Sequence, residues 1–393
     1  MHTPIQLSSR FDWSRKPNAL SRAITAKRAS GNRLLDLTTS NPTACGFAYP
    51  AADLRSALAA ADCATYHPNA KGSPAALDAV CRYYALRGSD LDPSRLLLTA
   101  STSEAYSFLF KLLCDPGDCV LAPRPSYPML DLLARLESVE LRHYPLRYDG
   151  AWHLDLPALE AALTPRTRAI VVVHPNNPTG SMLTVEEWAR LQQLAARHGC
   201  TVISDEVFTA YPFEDSLPGI ATAPLALDAQ VLTFSLNGLS KLAGLPQMKL
   251  GWILAGGPDC APALSALELI ADTFLSVSAP VQAALPALLN LAPAISTTIR
   301  ERVLANRAFL CQTTLGSAIS LLTAHAGWTA VLQVPTTKTD EEWALTLLEQ
   351  HNVIVQPGFF YDFETEAFLV VSLLTPPEIL EEGMRRIGHA IDA

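Results

Sequence analysis

The apolar positions of this chain gather into short runs without polar alternation: Arg95-Leu96-Leu97-Leu98-Thr99, Cys119-Val120-Leu121-Ala122, Ala169-Ile170-Val171-Val172-Val173, Thr201-Val202-Ile203-Ser204 and Val231-Leu232-Thr233-Phe234. Such runs predict strands buried on both faces, as in a parallel sheet covered by helices. Between the third and fourth, Thr184 and Glu187 have capping-box spacing, Trp188, Leu191 and Leu194 share one helical face, and Gly199 ends the segment. Strand, helix and strand in that order predict a βαβ unit.

The pattern changes toward the C-terminus. Segments 329–334 and 368–373 read as strands, with helical periodicity over 340–350 and 377–391. The expected fold class is α/β: a large domain over 45–285 with a mostly parallel central sheet, and a smaller α+β domain over 286–393 joined by an N-terminal segment, 1–44. Composition agrees, since 393 residues at 49% hydrophobic and 17% charged supply a large core and argue against disorder.

Charge and punctuation narrow the partners. A net charge of −9 offers no basic field for nucleic acid. The most apolar stretch, 264–295, is interrupted by Glu268, Asp272, Pro280, Pro286 and Pro293, which predicts buried helices rather than a membrane span. The first residues show no apolar signal-peptide run, so a cytoplasmic location is expected. Eight cysteines without C-x-x-C spacing are expected to be reduced structural thiols, with no metal site.

Ligands of open α/β sheets sit beyond the carboxyl ends of the strands, and four loops there carry unusual chemistry. Ser101-Thr102-Ser103-Glu104 opens a helix whose N–H groups favour an anion, and also reads as a capping box. In His174-Pro175-Asn176-Asn177-Pro178-Thr179-Gly180 the Asn177 amide is held extended before proline, in what is equally a structural turn. Asp205-Glu206 puts a carboxylate at a strand end, where a helix N-cap is the plainer reading. The fourth loop, 235–252, places Lys241 and Lys249 around Gly244-Leu245-Pro246; an amine among apolar neighbours gains a lowered pKa and nucleophilicity, whereas a solvated lysine does not.

In order and spacing, Asn177-Pro178-Thr179-Gly180, Ser204-Asp205-Glu206-Val207 and Leu239-Ser240-Lys241 resemble the fold-type I pyridoxal-phosphate enzymes, specifically the class I/II aminotransferases, from about Asn41 to the C-terminus. The resemblance implies pyridoxal 5'-phosphate as cofactor, Lys241 as Schiff-base lysine and proton carrier, and Asp205 on the pyridinium nitrogen. It also implies Asn177 on the phenolic oxygen, Tyr127 stacked on the ring, and Thr102, Ser103 and Lys249 on the phosphate. Tyr66 would reach the phosphate of a neighbouring subunit, implying a homodimer, and Ser40 would close over the substrate together with Asn177.

Three departures bear on the reaction. Lys249 stands where the family usually has arginine, giving charge without the bidentate fork. Phe208 replaces a tyrosine that commonly donates to the phenolic oxygen; Tyr211 lies near enough in sequence to substitute. Val370 stands two residues before Ser372, where most amino-acid aminotransferases carry the arginine that grips the substrate α-carboxylate; Arg10, Arg15 and Arg124 are the candidate replacements. The expected function is amino-group transfer from an amino acid or amine to a 2-oxo acid. A β-lyase of the same fold is the enzyme alternative. A regulatory sensor fused to a DNA-binding domain is disfavoured by the acidic balance and the short stretch before Asn41.

Overall fold

A computed structural model describes residues 5–11, 16–61 and 64–392. Its strands are β1 Leu35–Asp36, β2 Leu96–Thr99, β3 Cys119–Arg124, β4 Glu140–Tyr148, β5 Trp152–Leu154, β6 Thr167–Val173, β7 Thr201–Asp205, β8 Thr233–Gly238, β9 Gly251–Gly256, β10 Ser320–Leu321, β11 Thr329–Gln333, β12 Val353–Ile354, β13 Gln356–Pro357 and β14 Phe368–Ser372. The helices are α1 Ala19–Ala29, α2 Ala51–Ala59, α3 Pro74–Ala85, α4 Thr102–Leu113, α5 Met129–Leu136, α6 Leu156–Ala162, α7 Val185–His198, α8 Leu239–Leu242, α9 Cys260–Phe274, α10 Ala279–Thr314, α11 Asp340–His351 and α12 Pro377–Asp392.

The five apolar runs all become strands of one sheet, ordered β2-β9-β8-β7-β6-β3-β4-β5. From β8 to β4 every pairing is parallel, while β9 is antiparallel to both its neighbours and β5 folds back on β4 as a hairpin. Missing alternation has a direct cause. Along β6, Ala169 and Val171 enter one apolar cluster with α4, α5 and α9, and Ile170 and Val172 enter another with α6 and α7. Both faces are therefore core, and polar residues are left to the strand ends.

The α7 cap forms as its spacing predicts. Thr184 Oγ1 accepts from the Glu187 N–H, the Glu187 carboxylate accepts from the Thr184 N–H, and Gly199 closes the helix with φ +63°. The run over 231–234 is shifted, for pairing starts at Thr233 and continues through Gly238. There the strand needs a small residue: a Cβ on Gly238 would lie 2.7 Å from Gly251 Cα, so the last rung of β8 and β9 closes only between two glycines.

A second sheet, β10-β11-β14-β13, is wholly antiparallel, and β1 from the N-terminal segment pairs in parallel with β12. The N-terminal residues thus join the C-terminal elements. The expected boundary between 285 and 286 needs correction, because it falls inside the continuous helix α10, which carries Pro286 and Pro293 internally. Proline there removes a backbone donor without ending the helix. By length and apolar content α10 is long enough to cross a bilayer. In this fold it packs on α2 and α3, with Leu285, Leu288, Ile299, Val303 and Leu310 fully buried. Among the described residues the cysteines are all unpaired.

One buried amide ties α10 to the segment after β14. Asn306 Nδ2 donates to the carbonyls of Leu373 and Thr375, each at 2.8 Å. Asn306→Ala would leave both acceptors without their donor, and about 1–3 kcal/mol of stability should be lost. Chemical denaturation of the two proteins checks this through a lowered midpoint at unchanged m-value.

Candidate functional site

Parallel strands bring their carboxyl ends to one edge, where a cavity of about 340 Å³ opens. Asp205, the last residue of β7, lines it, as does Lys241 in the short helix α8 that follows β8. The Asp205 carboxylate accepts from Tyr106 Oη at 3.1 Å and from the Val207 N–H at 3.3 Å. These bonds and the nearby Lys241 favour its charged form, yet burial outweighs them and pushes its pKa up to about 6. Burial likewise lowers the pKa of Lys241, an effect opposed by Asp205. The Lys241 Nζ lies 5.4 Å from the centre of the Trp328 ring. An amine held this way carries a larger neutral, nucleophilic fraction than a solvated lysine.

Thr102 and Ser103 line the cavity at the N-terminus of α4, and Ser101 caps that helix by accepting from the Glu104 N–H. Ser101 forms half of the capping box, while the Glu104 carboxylate accepts from the Ala100 N–H and the following hydroxyls line the cavity. Ser240 and Lys249 line it too; Lys249 is exposed and, among the described residues, forms no ion pair. A cluster of hydroxyls, a lysine and a helix N-terminus has the chemistry to hold an anion.

Asn177 reaches the cavity from the turn after β6, and its side-chain oxygen is buried without a partner. The amide's two ends are interchangeable on geometry alone, so it presents either a donor or an acceptor to a ligand. Its neighbours fix the turn. Asn176 Nδ2 donates to Pro125 O and Thr179 Oγ1, while His174 accepts from the Leu183 N–H at Nδ1 and donates to Ala221 O from Nε2. Burial lowers the pKa of His174 to about 4, so it stays neutral in this structural role. Tyr127 lines the cavity and is 46% exposed.

Ser40 lines the cavity as expected. Tyr66 does not: it is 72% exposed and lies in an adjoining groove with Leu275, Ser276 and Gln282. Phe208 lines the wall and packs edge-on against Trp328, whereas the Tyr211 hydroxyl donates to the Lys241 carbonyl at 2.6 Å. Tyr211 therefore supports the backbone of α8 and does not supply the hydroxyl missing at Phe208. Of the candidate replacements for the missing arginine, Arg10 bonds Ser138 and Arg124 pairs with Glu364, and neither lines the cavity; Arg15 lies outside the described residues.

Comparison with known proteins places this geometry. The sequence model described as aminotransferase class I and II matches residues 33–387. The chain belongs to this family. It is 31% identical over 258 residues to the glutamate–pyruvate aminotransferase AlaA of Escherichia coli K12, an alignment covering 65% of this chain and 63% of that protein. A similar protein of Haemophilus influenzae, with the same name, is 26% identical over 91% of both chains. The solved alanine aminotransferase of Pyrococcus furiosus superposes with a TM-score of 0.87 at 24% identity, over 98% of this chain and all of that one.

Class I/II aminotransferases use pyridoxal phosphate, and the donor set fits that group. Lys241 would take the aldehyde, Asp205 the ring nitrogen and Asn177 the phenolic oxygen. Thr102, Ser103, Ser240 and Lys249 would hold the phosphate, with Tyr127 on the ring. The unpartnered Asn177 oxygen is the observation that argues for a ligand there. Sequence reasoning missed Tyr106, Trp328, Gln356, Phe360, Tyr361 and Thr38. Only Tyr106 left a local trace, as the polar tip among the buried positions Ala105, Phe108, Leu109 and Phe110 of α4.

The raised Asp205 pKa has a signed consequence for the cofactor-free protein. With about 6 in the folded state against an ordinary value near 4, the folded chain binds the proton more tightly. Its stabilising contribution is complete below about pH 4, falls as pH rises toward 6, and stays lost above that. Asp205→Asn removes this dependence, so the native protein should lose roughly 2 kcal/mol relative to the variant between pH 4 and pH 7. Urea unfolding of both proteins across that range measures it.

Proposed function

We propose that this protein is a pyridoxal-phosphate-dependent aminotransferase that moves an amino group from an amino acid or amine to a 2-oxo acid. One observation carries the reading: a lysine of lowered pKa and a buried carboxylate line the same cavity at the carboxyl edge of the sheet. When bound, the cofactor supplies an electron sink for charge developing at the amino-bearing carbon of the substrate. Lys241 Nζ removes the proton from that carbon and returns one, a role that its lowered pKa favours. Asp205, kept from water and oriented by Tyr106 and Val207, holds a proton on the ring nitrogen. Trp328 and Phe208 form an apolar wall that excludes water.

The same reading makes the protein a homodimer. Tyr66 stands outside its own chain's cavity, which supports a role for it at the phosphate end of a partner's site.

Borohydride reduction of the cofactor-loaded protein, followed by peptide mass mapping, should fix the cofactor to Lys241 and to no residue of Lys241→Ala. Loss of the visible cofactor band on adding an amino donor, and its return with a 2-oxo acid, should follow. Release of pyruvate from β-substituted amino acids without any 2-oxo acid would instead mark a β-lyase. In the same protein Lys249→Arg should tighten cofactor retention several-fold, because a guanidinium grips phosphate through two parallel bonds. Equilibrium dialysis measures it, and equal or weaker retention would refute the role given to Lys249.

A further inference from the structure

We propose that the amino donor of this site carries, on its amino-bearing carbon, a neutral hydrogen-bonding group such as a hydroxymethyl in place of a carboxylate. The inference rests on the aminotransferase reading and names the substrate class within it. It stands on the part of the cavity wall made by the second sheet and the segments joined to it, where Thr38, Thr329, Gln356, Tyr361 and Ser372 supply polar atoms.

The hydroxyl hydrogens on this wall are already committed. Thr38 Oγ1 bonds Asp36 Oδ1 at 2.6 Å, Thr329 Oγ1 bonds Pro178 O at 2.8 Å, and Ser372 Oγ bonds Thr39 O at 2.6 Å. Each partner is a carbonyl or carboxylate oxygen, so each hydroxyl donates to it and shows the cavity its lone pairs. The Tyr361 hydroxyl is bound to Gln356 Oε1 in the same way. Donors left uncommitted include the Gln356 Nε2 hydrogens, the Ser40 hydroxyl and the indole N–H of Trp328, which is buried without a partner. All are neutral.

Among the described residues Lys241 and Lys249 are the only cations lining the cavity, and both stand on the segment that follows β8, not on the wall made by the second sheet, with Lys241 Nζ 5.4 Å from the centre of the Trp328 ring. Val370, cross-strand from both Val331 and Gln356, is 0% exposed and packs with Trp152, Leu322 and Tyr361. A carboxylate would meet several oxygen lone pairs with no counter-charge and lose its hydration. A hydroxyl both gives and receives, giving its hydrogen to the Ser372 or Thr38 oxygen and accepting from Gln356 or Trp328. The aromatic rings of Tyr127, Phe360 and Trp328 suit an apolar body on the same molecule.

The exchange balances without another reactant. The donor's C–NH2 carbon loses its hydrogen and two electrons and becomes C=O, while the acceptor's C=O carbon gains them with the amino group. The lone pairs that favour the hydroxyl also raise KM for the 2-oxo acid of the return half-reaction.

A matched series tests this: leucinol, leucine and 4-methylpentan-2-amine, each mixed with the cofactor-loaded protein while the visible band is followed through a single turnover. Leucinol should react at least about tenfold faster than either of the others, the scale of one well-formed hydrogen bond. Calorimetry with unreactive probes gives a readout without turnover, and 4-methylpentan-1-ol should bind more tightly than 4-methylpentanoate. Val370→Arg should reverse the order of leucine and leucinol. Ser372→Ala, which adds no bulk, should lower the preference for leucinol over leucine about tenfold. Faster reaction with leucine in the native protein would overturn the inference and leave the aminotransferase reading standing. Equal rates for leucinol and the plain amine would also overturn it, and no band change with any of the three would overturn both.

Discussion

The fold is organised by the need to keep one carboxylate and one amine in the same water-poor cavity. Burying either charge alone is expensive, and each offsets the cost of the other. Asp205 still ends with a raised pKa and Lys241 with a lowered one, so their attraction does not fully replace the lost water. A cavity in that condition requires rigid walls. The sheet provides them, because β7 and β8 are parallel and buried, so their carboxyl ends stop at a fixed edge with Asp205 opposite Leu236 in the register.

The second sheet is held to that edge by hydrogen bonds from the turn carrying Asn177. The amides of His325 and Ala326 donate to Gly180 O, the Gly327 amide donates to Tyr211 O, and Thr329 Oγ1 donates to Pro178 O. Gly180 permits this approach, for with φ +65° its Cβ would fall 2.4 Å from Ala326 O. Trp328 follows directly and meets Phe208, Tyr211 and the Lys241 amine. The bond from Thr329 that helps fasten the sheets also spends its hydroxyl hydrogen, and Ser372 spends its own on Thr39 O of the N-terminal segment, so holding the wall in place and substrate recognition draw on the same hydroxyls.

Legibility in the sequence followed locality. Lys241, Asp205, Asn177, Thr102 and Ser103 each lie just after a buried apolar run, and the rule that ligands collect at strand ends finds them from short windows. Trp328, Gln356, Tyr361 and Thr38 reach the cavity only through the packing of distant elements, and no local periodicity records that. The boundary at 285/286 failed for a related reason. Pro286 and Pro293 mimic punctuation, but tertiary contacts with α2 and α3 carry α10 through both. Tyr211 misled in the opposite sense, since nearness in sequence to Phe208 did not aim its hydroxyl at the same ligand.

The adjacent acids Asp205 and Glu206 show how one residue of offset separates function from support. Side chains alternate at a strand end, so two neighbouring carboxylates enter different environments. Glu206 is turned away from the cavity, where it accepts from Ser235 Oγ at 2.6 Å and from the Leu225 N–H at 3.0 Å, and its carbonyl accepts from Asn237 Nδ2. Burial raises its pKa to about 7, with the Asp205 charge adding to the shift. Its partners are a strand and a turn of the same domain, so it fastens β7 to β8 at the point where both chains leave the sheet. Ser235 and Leu225 both donate to this carboxylate and so favour its ionised form, against the burial that favours the neutral one. Each carboxylate accepts two hydrogen bonds, but Asp205 has a ligand-sized space before it, and that difference in surroundings, more than the identity of the side chain, assigns the chemistry to one of the pair.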